Sequence, residues 1–116
     1  MVTCKGLDME EIILAAASSY DRKYYFNNEF EAIPEGIKTN IQIMLVSFTM
    51  EIGGLLSLVY DEAGLLHFRT ECDEEDILYD EIGAHLKIKK MMMDHEDLLE
   101  GLQMFYKVFY LGESLE

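Results

Sequence analysis

The pattern of apolar and polar positions changes period several times along this chain. Ile12 to Ser18 is a short continuous apolar run. Its alanines suit a helix, while Ile-Ile-Leu and the Ser-Ser-Tyr that follows allow a strand. The next segment, "RKYYFNN" (Arg22 to Asn28), carries β-favouring aromatics closed by an Asn-Asn pair suited to a turn. We read Ile12–Ser18 and Lys23–Phe26 as a first hairpin, with helix left open for the former.

From Pro34 the period becomes helical. Proline suits a helix start, and Glu35 suits the positive end of the macrodipole. Ile37, Ile41, Leu45, Phe48 and Ile52 fall on one face, and Ile43, Val46 and Met50 make a second apolar face. A helix apolar on two sides is expected to be buried on two sides. Gly53-Gly54 ends it, because glycine takes the left-handed conformation that a helix C-terminus needs.

"LLSLVYDEAGLLHFRTEC" reads as a second hairpin with an arguable register. Asp61-Glu62-Ala63-Gly64 suits a type I turn with Gly64 left-handed. A three-residue loop, Glu62 to Gly64, pairs Asp61 with Leu65 and Tyr60 with Leu66. One face then carries Leu56, Leu58, Tyr60, Leu66, Phe68, Thr70 and Cys72; the other carries Leu55, Ser57, Val59, His67, Arg69 and Glu71. A loop one residue shorter or longer would mix the faces. The first set is expected on the core, with His67, Arg69 and Glu71 left to water or a partner.

Asp73 to Ala84 is predicted as a helix capped by Asp73, with Ile77, Leu78 and Ile82 as its apolar side and Gly83 as a kink or stop. A last long helix follows, because Ile88, Met92, His95, Leu99, Leu102, Tyr106 and Phe109 step by four and three. Gly112 ends it. The expectation is an α+β fold: a small antiparallel sheet built from two hairpins (ββαββα order), helices packed on one face, and a long C-terminal helix.

The 116 residues have room for one domain, 1–116, with residues 1–10 expected to be flexible. Charge narrows the partners. A formal net charge of −14 repels phosphate backbones and anionic lipids, so nucleic acid and membrane are disfavoured and a basic protein is favoured. The apolar run at Ile12 is too short, and too acidic in what precedes it, for a signal peptide. "IQIMLVSFTMEI" is too short to span a bilayer. Cys4 and Cys72 form no zinc spacing and suit a reducing cytoplasm.

"GGLLSLVYDEAG", "ECDEEDILYDEIG" and "FYKVFYLGE" together resemble a family of small acidic proteins of unknown function from clostridia and related Firmicutes. The resemblance covers nearly the whole chain. It implies a bacterial cytoplasmic protein, and it supplies no catalytic residue and no cofactor.

Chemistry concentrates in "TECDEEDILYDEIGAH", Thr70 to His85, which holds a thiol, seven carboxylates, a tyrosine and an imidazole. On a helix Glu81 and His85 share a face, and with Asp76 they are the candidate metal ligands. The competing reading is a carboxylate-rich helix start, and it is favoured. Cys72 as a nucleophile is disfavoured, since the acids around it oppose a thiolate. No nucleophile elbow, phosphate-binding loop or dinucleotide-binding glycine pattern is present. The apolar excess carries the functional expectation, a non-catalytic interaction domain that forms a homodimer. Met92, Leu99, Leu102, Tyr106 and Phe109 would form the interface, and Glu74, Glu75, Asp80 and Glu81 an acidic rim that steers a basic partner. A metal-dependent enzyme using segment 73–85 and an acidic chaperone-like binder of a basic or unfolded partner are the alternatives.

Overall fold

Strand β1 (Ile12–Ser18) folds back on β2 (Lys23–Phe26), and on its other side pairs with β3 (Leu55–Tyr60), which hairpins into β4 (Leu66–Glu71). The four strands form one antiparallel sheet in the order β2-β1-β3-β4. The computed structural model describes residues 11–109 and 112. The expectations for residues 1–10 and for Cys4 fall outside that range.

The second hairpin has the register argued above. Tyr60 faces Leu66, Leu58 faces Phe68 and Leu56 faces Thr70. Gly64 has φ 88°, and the Asp61 carboxylate accepts the backbone N–H groups of Ala63 and Leu65. The other Asp61 oxygen lies 2.8 Å from the His67 ring, a contact that lowers the carboxyl pKa. At the open edge of β4, the Gln103 side chain accepts the Leu66 N–H at 2.9 Å.

Helix α1 (Glu35–Glu51), with Pro34 as N-cap, packs on β1 and β3. Ala15 and Ala17 are buried beneath it, and such small side chains let a helix lie close to a sheet. Ile41, Met44, Leu45 and Phe48 are its buried residues on the core. The second apolar face is buried only in part: Val46 packs against the core, while Ile43 and Met50 are exposed. One sheet offers α1 one apolar surface, which a single stripe of its side chains fills.

The outward face of the sheet exposes His67, Arg69 and Glu71. It is not wholly open. Ser57 and Val59 on the same face are buried, and the Arg69 guanidinium pairs there with the Glu11 carboxylate.

Two helical expectations need correction. No helix starts at Asp73. Residues 73–80 form two successive turns, closed by Asp76 N–H to Asp73 C=O and Tyr79 N–H to Asp76 C=O. Helix α2 (Glu81–Asp94) starts only where the Asp80 carboxylate accepts the Gly83 N–H at 2.9 Å. Gly83 therefore lies in the first turn and neither kinks nor ends the helix. Nor is the last helix continuous. His95, at φ −121° and ψ 31°, closes α2, and α3 (Glu96–Phe109) follows. The element order is ββαββαα. An unbroken helix over 81–109 would reach about 43 Å, twice the length of these strands. The break lets Ala84 and Met91 of α2 and Leu102 and Tyr106 of α3 all reach the core.

One core tyrosine sets an alkaline limit. The Tyr24 hydroxyl is buried, has no hydrogen-bond partner among the described residues, and is pushed up to about 12 by burial. An unfolded tyrosine loses its proton at the ordinary value of 10.0. Between those values the unfolded chain holds fewer protons than the folded one. Stability is therefore expected to fall as pH rises from about 10 to about 12. Tyr24→Phe should shrink that loss, and at pH 7 should gain about 1 kcal/mol by removing an unpaired buried group. Urea midpoints from pH 7 upward check both; an unchanged alkaline limb would place the titration elsewhere. Tyr20 and Tyr79, also raised chiefly by burial, should keep a residual limb in the variant.

Candidate functional site

Two surfaces compete for a functional role: the acidic segment leading into α2, and the elbow between α2 and α3.

The acidic segment is held from both sides. The Tyr20 hydroxyl donates to the Asp76 carboxylate at 2.7 Å and accepts the Asp73 N–H at 2.9 Å. The Tyr79 ring packs against the core beside Gly54. Beyond Tyr79, the residues Thr70, Cys72, Glu81 and His85 line a hollow of about 210 Å³. Glu81 and His85 thus meet around one space, as their helical spacing expected. Asp76 does not line it, and its carboxylate is engaged by Tyr20. Among the described residues, no three His, Cys, Asp or Glu side chains come together in an arrangement able to hold a metal ion.

The four rim carboxylates, Glu74, Glu75, Asp80 and Glu81, are all exposed. Glu74 and Glu75 sit at the tip of the first turn. Sequence reasoning missed what they surround. Ile77 and Leu78, taken as the apolar side of a helix, form the tip of the second turn and are each 89% exposed. The missed signal lies in "DEEDILYDE": an aliphatic pair with acids on both sides, followed by an aspartate three residues ahead of a glycine.

The elbow divides the expected interface. Leu102 is 2% exposed and Tyr106 5% exposed, both within the protomer's own core. The Tyr60 hydroxyl donates to the Leu102 carbonyl at 2.7 Å, and the rings of Tyr60 and Tyr106 stack with centroids 4.3 Å apart. Neither residue is available to a partner. Met92 is exposed, Leu99 is half-buried and Phe109 is exposed. Met92 and Leu99 join Leu66, Phe68 and Met93 around a groove of about 420 Å³, with Glu96 and Glu100 at its margin. Phe109 stacks on Phe105 at 4.5 Å.

A family model matches residues 11–114, which takes in every element from β1 to α3. The chain belongs to DUF6145, a family of unknown function. Neither a curated protein nor a solved structure matches it. The DUF6145 assignment agrees with the expected resemblance to a family without assigned activity, and it names no site residue. Among the described residues of this DUF6145 chain, no helix is long and apolar enough to cross a membrane.

Proposed function

We propose that this is a single-domain, non-catalytic protein-interaction module of the bacterial cytoplasm, and that it self-associates at the elbow of α2 and α3. The apolar groove around Met92 and Leu99 is the observation that carries this reading. Phe109, stacked on Phe105 outside that groove, is a second contact point, while Leu102 and Tyr106 hold α3 to the core from within. The acidic rim at Glu74, Glu75, Asp80 and Glu81 steers a basic partner and repels nucleic acid.

Native mass spectrometry with sedimentation analysis tests the self-association. The wild-type chain is expected to be a dimer, and Met92→Glu with Phe109→Glu a folded monomer. Two chains of charge −14 repel, so the dimer should tighten as salt rises. A wild-type monomer at tens of micromolar in high salt ends the proposal.

A further inference from the structure

The least expected surface on the molecule is a run of exposed aliphatics at the entrance to α2. Ile77 and Leu78 are each 89% exposed, Ile82 75% and Leu86 60%. Ile82 and Leu86 are one helical turn apart and share a face, which exposed Met93 continues. Tyr20 ties the first turn at Asp73 and Asp76, and Tyr79 packs against the core beside Gly54. The chain between those anchors holds Ile77 and Leu78 outward in a fixed frame. A prearranged apolar surface costs little ordering entropy when it is covered.

Charge decides what covers it. Asp73, Glu74, Glu75, Asp76, Asp80 and Glu81 flank the aliphatics, and none of them is in an ion pair among the described residues. Of the nearby lysines, Lys87 pairs with Glu51 and Lys90 with Asp94, while Lys89 is exposed one turn beyond Leu86 on the same face, one cation against six carboxylates. A second copy is a poor occupant. Its matching surface carries the same carboxylates around the same aliphatics, so two copies laid together would repel. An occupant with apolar residues at helical spacing and a lysine- or arginine-rich margin meets both the aliphatics and the carboxylates.

We infer that Ile77, Leu78, Ile82 and Leu86 form the docking surface for a basic amphipathic helix of a partner protein. This rests on the interaction-module reading above, but its four aliphatics lie outside the elbow groove, which the same face of α2 reaches only at Met93. The aliphatics supply affinity, and the surrounding carboxylates supply orientation and a fast encounter. Binding should weaken as salt rises, opposite to the dimer.

The test uses the full chain and a synthetic helical peptide of leucine and lysine, with leucines at i, i+3, i+4 and i+7. A scrambled peptide of the same composition is the charge control. Isothermal titration should show binding of the amphipathic peptide, and Ile82→Gln with Leu86→Gln should weaken it by about tenfold or more. Both positions are exposed and glutamine is a good helix former, so an unchanged melt should accompany the loss. Met92→Glu with Phe109→Glu should leave peptide binding intact while breaking the dimer, which separates the two proposals. Three results would overturn the inference: no binding, equal binding of the scrambled peptide, or full binding by the Ile82→Gln, Leu86→Gln variant.

Discussion

Leu102→Ala is expected to lower unfolding free energy by about 3 kcal/mol, the usual range for a leucine emptied from a close-packed core. Leu102 sits in the cluster that joins α3 to Tyr60, Phe30 and Tyr106. Its loss opens a cavity beside the stacked rings and loosens the carbonyl that accepts the Tyr60 hydroxyl. Leu102→Glu should be worse, because it buries a carboxylate without a partner. A surface reading of α3 would expect that variant to be a stable monomer; a core reading expects it not to fold. Urea titration with a far-ultraviolet melt separates the two. A Leu102→Ala loss under about 1 kcal/mol would mean that α3 is not clamped as described.

Gly54→Ala is the second large effect. Gly54 has φ 76°, and a Cβ there would lie 2.7 Å from the Tyr79 ring and 2.8 Å from the Glu71 carbonyl oxygen. The left-handed backbone disfavours alanine, and the backbone contact offers no flexible end to give way. Together they should cost about 2 to 4 kcal/mol, the strain of overpacking added to that of the backbone. The damage should also travel. Displacing Tyr79 releases one anchor of the 73–80 segment, so amide signals of Ile77 and Leu78 should shift although neither touches residue 54. Gly54→Ala at wild-type stability would show that Tyr79 does not hold this segment down.

How much of this was legible in the residues depended on how local the deciding contact was. The β3–β4 register was legible because only a three-residue loop keeps Leu58 and Phe68 on one face and Val59 and His67 on the other. The helix stop at Gly53-Gly54 was legible for the same reason, and both glycines have positive φ. The entry to α2 was not. Aspartates, Ile77, Leu78 and Ile82 suit a helix from Asp73 as well as they suit two turns. What decides is a hydroxyl 53 residues from Asp73 and 56 from Asp76 in the chain. The candidate site shared that fate. The step of four and three from Ile88 to Phe109 is the same whether a side chain faces its own core or a neighbour. Only the break at His95 and the reach of Tyr60 send Leu102 and Tyr106 inward while Met92 stays outside. That Glu81 and His85 line one hollow was readable from spacing, but the capture of Asp76 by Tyr20 was not.

The side-chain amide of Gln103 has a consequence for solution behaviour. A sheet of four strands ends in two rows of unsatisfied peptide groups, each a template on which further chains can add. Here β2 offers only four residues. On β4, Gln103 occupies the Leu66 N–H, and Arg69 and Glu71 leave charge along the strand. A chain that is 50% hydrophobic is thereby denied the simplest route to open-ended, fibril-like growth.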